Sequence, residues 1–409
     1  MSSVNLVSNV ALSDTDSGTQ TSTRCEPTVA AAFDEVYTTG NWFASRSSDV
    51  GQTWAFVDPF TSLTPAAGGF CCDQVALHQM GRNLWFWTLQ YVASGGTNVF
   101  RVALSTNGKP ESWTYWDWAP GTFKADWNGT AWFDYPDVAA TNNHLYITYN
   151  VFNSNPQSFL ASVVMRFKLD DMIAKGNLVP QYYIVEDHGS LRLTQGATTD
   201  MYFASHNAQN PIRVYHWGDG DADVMTWNDI TPATWNGATP YTSLGPGNAE
   251  WLGRVDPRIT GAWTTGNQAG FFWTANSDAN RPQPYVKALV VNTTDWSIVS
   301  EPDIWHTDFA WAYPAACPNA NGVVGISLFR GGGATHPVHT VGFLDSGTWV
   351  MASTAASTDG PANGFWGDYV SCQVHDPEQT DWVASGYTLQ GGTDRQAIEP
   401  RYVRFNVGP

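Results

Sequence analysis

The sequence predicts an all-β fold, a seven-bladed β-propeller of four-stranded blades that takes up residues 1–409 as one domain. Three observations carry that expectation. Short apolar and aromatic stretches alternate with Gly- and Pro-rich turns along the whole chain. One such unit recurs seven times, at separations of roughly 45 to 65 residues, the length of a four-stranded blade. The last unit is too short to complete a blade without a strand from elsewhere.

The composition fits. Of the residues 43% are hydrophobic and only 14% charged, with 21 Trp, 20 Phe, 16 Tyr, 37 Gly and 23 Pro, which favours many short strands over helices. Only Asp170 to Lys175 reads as a helical turn. No apolar run is long enough to span a bilayer and no heptad pattern appears, so neither a membrane segment nor a coiled coil is expected. A net charge of -18 repels phosphate backbones and anionic membranes, which excludes nucleic acid and membrane surfaces as partners. Two acceptor triplets, Asn128-Gly129-Thr130 and Asn292-Thr293-Thr294, are compatible with a secreted or extracellular protein. The N-terminus lacks the basic and apolar regions of a signal peptide. A monomer is expected.

The seven units open at Glu26-Pro27, Asp73-Gln74, Tyr135-Pro136, Arg192, Asp256-Pro257, Tyr313-Pro314 and Asp368-Tyr369. Each continues into a short apolar strand, a turn and a second apolar strand, then into an outer hairpin that often carries a Trp. About 40 residues follow the seventh opening, too few for a blade, whereas the strand-like VNLVSNVAL precedes the first. The N-terminal strand is therefore expected to complete the last blade and remove the open sheet edges.

The first outer hairpin reads Ser47-Ser48-Asp49-Val50-Gly51-Gln52-Thr53-Trp54. Asp49 can accept backbone N–H groups of the turn, Gly51 permits positive φ, and Trp54 can pack between sheets. With its degenerate relative Asp345 to Trp349, this segment resembles the Asp-box of sialidase-like propeller families. The resemblance implies the fold. The Arg-Ile-Pro motif of true sialidases does not occur, so the resemblance does not imply sialidase activity.

In a propeller the start of each first strand and the end of each second strand converge on one face of the central channel. That rule gathers Glu26, Asp73, Gln74, Tyr135, Arg192, Gln195, Arg254, Asp256, Arg258, Tyr313, Asp368 and Tyr369 from the strand starts. The second-strand ends add Trp42, Gln90, Asn150, His206, Asn207, Asn276, Arg330 and Gln390. Because the openings differ from copy to copy, one central site is expected in place of a site repeated in every blade. Arg192, Arg254, Arg258 and Arg330 stand out in a chain poor in arginine. Their forks suit a carboxylate, while Gln74, Trp42, Glu26 and Asp368 suit sugar hydroxyls and ring faces. The alternative is that the arginines pair with neighbouring acids and close the channel mouth. Arg254 and Arg258 flank Asp256 at alternating positions, as on one strand.

These residues point to a carbohydrate-active enzyme, a lyase or a glycoside hydrolase, acting on an acidic, uronate-containing oligo- or polysaccharide. In elimination an arginine would neutralise the uronate while His206 with Tyr135 or Tyr369 moved the protons. In hydrolysis two carboxyl groups among Asp73, Asp256, Glu26 and Asp368 would serve as acid and as base or nucleophile. A lectin-like propeller or a protein-interaction module are the other classes.

The five cysteines lack zinc spacing. Level positions in the repeat make Cys25–Cys72 and Cys317–Cys372 the expected bridges, with a vicinal Cys71–Cys72 disulfide at the pocket mouth as the alternative. No cofactor is required. A structural calcium is the one metal suggested, by Asp219-Gly220-Asp221-Ala222-Asp223, but that loop lacks the remaining ligands of a calcium loop. A solvated hairpin turn between outer strands is the better reading.

Overall fold

The computed structural model describes residues 2–14, 21–66, 68–206 and 209–408. It holds seven antiparallel sheets of four strands each, and six of them run through the chain in simple order from the innermost strand outward. The innermost strands are Thr28–Ala32, Phe70–Gln79, Ala131–Ala140, Arg192–Leu193, Ile259–Thr265, Ala310–Pro318 and Ser371–Val374. Each touches the next, and the last touches the first, so they form a closed ring around the axis. These are the seven strands that the repeats anticipate.

The seventh sheet is completed by the N-terminal strand Ser3–Ala11, which pairs with Ile398–Gly408 from Ser3↔Gly408 to Ala11↔Arg401, with one irregularity between Leu6 and Ser8. The two chain ends thereby close the ring through a ladder of backbone hydrogen bonds. A short helix, Leu169–Ile173, covers the turn expected to be helical.

Blades are joined by aromatic rings laid over small residues and by buried polar staples. Trp382 of the seventh blade is fully buried, donates from Nε1 to the Cys317 carbonyl at 2.9 Å, and lies where a Cβ on Gly325 of the sixth blade would stand 2.5 Å from its ring. A glycine is required there by close approach. Between the first two blades, Thr28 Oγ1 accepts from the Ala76 amide at 2.9 Å.

The Ser47–Trp54 segment links the third and fourth strands of the first blade. Asp49 Oδ1 accepts from the Gln52 and Thr53 amides at 3.0 and 2.8 Å, and Ser47 Oγ accepts from the Gly51 amide at 2.9 Å. These bonds, led by those from Thr53, hold the Asp49 carboxyl down at about 2. Trp54 meets Tyr402 of the last blade edge to face, at 5.7 Å between centroids.

Asp219 to Asp223 forms a turn between the outer two strands of the fourth blade, and its carboxylates serve the protein itself. Asp219 receives His144 Nδ1 at 2.7 Å and Thr141 Oγ1 at 2.6 Å, Asp221 receives Lys168 Nζ at 2.7 Å, and Asp223 receives the Gly220 amide at 2.8 Å.

The cysteines depart from the inter-blade bridges expected. Cys71 and Cys72 are bonded to each other, while Cys25, Cys317 and Cys372 are free and buried. Cys25 takes a hydrogen bond from Thr21 Oγ1 at 3.6 Å instead of reaching Cys72. Cys317 and Cys372 do lie on neighbouring inner strands, but the Cys317 thiol donates to its own neighbour, the Pro318 carbonyl, at 3.5 Å.

Irregular backbone marks one end of the ring. The pairing of first with second strands shifts register between Phe70 and Gln74, Asp134 and Asp137, Ile259 and Gly261, and Ala312 and Ala315. Glu26, Tyr135 and Tyr313, each preceding a proline at a blade opening, hold φ of 50°, 58° and 57°. Left-handed backbone at a non-glycine residue costs on the order of 1–3 kcal/mol and gathers at functional sites. Here it turns the chain, and bulges re-aim side chains in the same way.

Candidate active site

The irregular openings surround a cavity of about 950 Å³ at one mouth of the channel. Ten of the residues that the repeats single out line it: Glu26, Trp42, Asp73, Tyr135, Asn150, His206, Arg254, Asp256, Arg258 and Asp368. Five blade openings contribute: Glu26, Asp256 and Asp368 stand before the first, fifth and seventh inner strands, and Asp73 and Tyr135 lie within the second and third. Asn207 lies outside the described residues.

The cavity's acids fall into two groups. Arg254 holds Asp368 through Nε to Oδ1 at 3.2 Å and Nη2 to Oδ2 at 2.7 Å. Arg258 holds Asp256 through Nε to both oxygens at 2.7 and 2.9 Å, through Nη2, and through its amide to Oδ1 at 3.0 Å. Its guanidinium also lies 4.6 Å from the centre of the Tyr135 ring. Burial pushes the Asp256 carboxyl upward, but the charge and hydrogen bonds of Arg258, with the nearby charge of His206, outweigh it and leave Asp256 below the ordinary carboxylate range. The second group is different. Glu26 and Asp73 are buried within hydrogen-bonding reach of each other, and both are raised well above the carboxylate range. For Glu26 the causes are burial, then the charges of Asp73 and Asp368; for Asp73 they are burial, then those of Asp134 and Asp368. Asn41 Nδ2 donates to Glu26 Oε2 at 2.9 Å and fixes that end of the pair. Two crowded, buried carboxyl groups favour a shared proton, whereas Asp256, clamped by Arg258, favours its ionised form.

Arg254, Asp256 and Arg258 do not alternate along a strand, because the chain is irregular until Ile259. The loop lets both arginines turn back onto acids instead of projecting to one side.

Of the residues expected to have a catalytic or binding role, four lie elsewhere. Gln74 is an inter-blade staple, donating to the Gly40 and Phe43 carbonyls at 2.7 and 2.9 Å and accepting from Trp87 Nε1 at 2.8 Å. Arg192 and Tyr369 line a narrower space within the channel, away from the cavity. There Arg192 Nη1 meets Asp137 Oδ1 at 3.0 Å, both side chains being buried, and Tyr369 packs edge-on against Tyr135 at 5.9 Å. Arg330, on the second strand of the sixth blade, lies over the Phe309 ring at 5.0 Å and reaches Ser353 Oγ at 3.2 Å.

The cavity also uses residues that sequence reasoning did not select. Asp134 precedes Tyr135 in the third-blade bulge and is raised by burial against the opposing bonds from Gln90 and the Tyr135 amide. Arg24 stands two residues before Glu26. Its amide donates to Ser22 Oγ at 3.1 Å and its carbonyl accepts from Asn41, but its guanidinium forms no ion pair among the described residues. Phe152, near the end of the second strand of the third blade, and Phe159, at the start of its third strand, have ring centres 6.0 Å apart. A bulge admits two adjacent side chains to one face, and that was the available signal for Asp134.

No protein-family model matches the sequence, and no curated protein does. Solved structures match in overall shape. A GH93 alpha-L-arabinofuranosidase of Fusarium graminearum, in complex with arabinobiose, is 11% identical over 98% of both chains, with a TM-score of 0.46. A Penicillium chrysogenum alpha-L-arabinanase, complexed with arabinobiose, is 11% identical over 99% of this chain and 98% of its own, with a TM-score of 0.44. The SapL1 lectin in complex with alpha methyl fucoside is 12% identical over 82% of this chain and 99% of its own, at 0.42.

Proposed function

We propose that the protein is a glycoside hydrolase whose cavity cleaves a glycan bearing a carboxylate. The observation that carries the reading is the division of the acids: a proton-sharing Glu26–Asp73 pair shares one cavity with Asp256 and Asp368, which arginines clamp. The pair donates a proton to the glycosidic oxygen as its bond to the anomeric carbon breaks. A clamped carboxylate either activates water against that carbon or attacks it first, and the net change is addition of one water across the bond.

Elimination is less well served. Tyr135 is pushed up to about 12 by burial, against the pull of Arg258 and Arg192, and burial also raises Tyr369 well above the ordinary phenol value. Neither phenol is placed to take a proton near neutrality. For the substrate's charge, Arg254 and Arg258 are already engaged by carboxylates. Arg24 supports an acidic glycan because its fork is open at the cavity wall, where it can accept a uronate bidentately.

A panel of neutral and uronate-containing oligosaccharides, assayed for new reducing ends and for the ultraviolet absorbance of an unsaturated uronate, tests the proposal. New reducing ends without that absorbance are expected, and Arg24→Ala should raise KM for the uronate substrate about tenfold. An unsaturated product would replace hydrolysis by elimination, and binding without turnover would leave a lectin.

A further inference from the structure

We infer that the Cys71–Cys72 disulfide, together with Trp42, is a substrate-binding surface: an apolar platform for the C–H face of a sugar ring, set beside the proton-sharing acids. This rests on the carbohydrate reading above and names the part of the cavity that would hold the ring.

Both cysteines are partly accessible, and Cys72 lines the cavity as the residue directly before Asp73. They fall within the stretch where the second blade's inner strand leaves its register, between Phe70 and Gln74. That stretch is therefore not committed to the sheet ladder. A bond between adjacent cysteines closes a small ring that removes local chain freedom and presents two sulfurs, which are polarisable and weak hydrogen-bonding partners. Trp42 is fixed to the same unit, since its Nε1 donates to the Cys71 carbonyl at 2.9 Å. That bond occupies the one polar atom of the indole, so what Trp42 adds to the cavity wall is apolar carbon. Trp42 itself sits at φ 75°, a costly conformation for a bulky residue, and the guanidinium of Arg395 lies 5.9 Å from its ring centre.

The chemistry of this wall contrasts with its surroundings. Acids, arginines and amides supply the hydrogen-bonding partners of the cavity, and sugars present hydroxyls at the ring edge and C–H groups on the ring face. A wall of sulfur and indole carbon beside a carboxyl pair matches a ring laid face-on, with its edge turned to the acids. The disulfide is then a binding element, and the free thiols of Cys25, Cys317 and Cys372, all buried, take no part.

Crystals soaked at high concentration with methyl β-glucopyranoside, methyl α-arabinofuranoside and methyl α-galactopyranosiduronate locate the ring directly. The expected result is a ring whose carbon face contacts the Cys72 sulfur and Trp42. A ring bound elsewhere in the cavity, with the disulfide facing solvent, overturns the inference while leaving the hydrolase reading intact. No binding by any of the three, together with no turnover of the oligosaccharide panel, overturns both. In parallel, the Cys71→Ser/Cys72→Ser protein and wild type reduced with a phosphine are compared on the panel. KM should rise about five- to tenfold for the lost contact surface, with kcat held within about threefold. An unchanged KM, or loss of kcat alone, refutes a binding role, and melting temperatures identify a variant that has failed to fold.

Discussion

Glu26→Gln should stabilise the protein while disabling it. In the folded chain the Glu26–Asp73 pair retains a proton that both carboxyl groups release when the chain unfolds, because both are raised above the carboxylate range. The folded state thus binds more protons than the unfolded one, and stability falls as pH climbs from the ordinary carboxylate value to the raised one. Beyond that window, each unit of upward displacement costs the folded state about 1.4 kcal/mol. Glutamine keeps the shape, can turn its carbonyl to the Asn41 amide that now donates at 2.9 Å, and offers Asp73 an N–H in place of the shared proton. An unfolding entropy of about 2.1 cal/mol/K per residue gives about 0.86 kcal/mol/K for this chain, so each kcal/mol recovered moves Tm by about 1.2 °C. Scanning calorimetry should show Tm raised by about 1 to 3 °C near pH 8 and the gain fading as pH falls through about 4, below which both states are protonated. Turnover should drop by about 10² to 10⁴. A variant destabilised equally at both pH values, or one that keeps full activity, refutes the shared proton and its role.

Two further outcomes follow from the packing. Asp137→Ala strands the buried Arg192 charge and takes the acceptor from the Leu193 amide, bonded at 2.7 Å, so it should lower stability by about 3–5 kcal/mol and Tm by about 4–6 °C, measured by thermal melting. A thiol reagent should find no reactive cysteine in the native protein and three after denaturation without reductant, since burial pushes the Cys25 and Cys317 thiols up to about 12 and raises Cys372 well above the ordinary thiol value. Five thiols under those conditions would mean that the vicinal bond is absent.

What could be read from the sequence is whatever depends on local pattern. Strand period and turn chemistry repeat along the chain, so the seven openings mark the seven inner strands, and the shortfall of the last unit identifies Ser3–Ala11 as the closing strand. Because openings converge by symmetry, the same pattern brought ten side chains to the cavity without knowledge of a single contact. The tertiary structure decided how those side chains are used. Arg254 meets Asp368 across 114 residues of chain, and no spacing rule reports that this arginine is engaged while Arg24 has no ion pair among the described residues. Gln74, Arg192, Tyr369 and Arg330 share the openings or strand ends of the cavity residues, but strand alternation and depth along the channel direct them into staples, a buried ion pair and a blade surface. The same holds for the cysteines: level positions in a repeat do not place two sulfurs in bonding reach, whereas adjacency in a bulge did. The upward displacement of Glu26 and Asp73 is the clearest case, because it arises only where burial and several like charges from different blades meet.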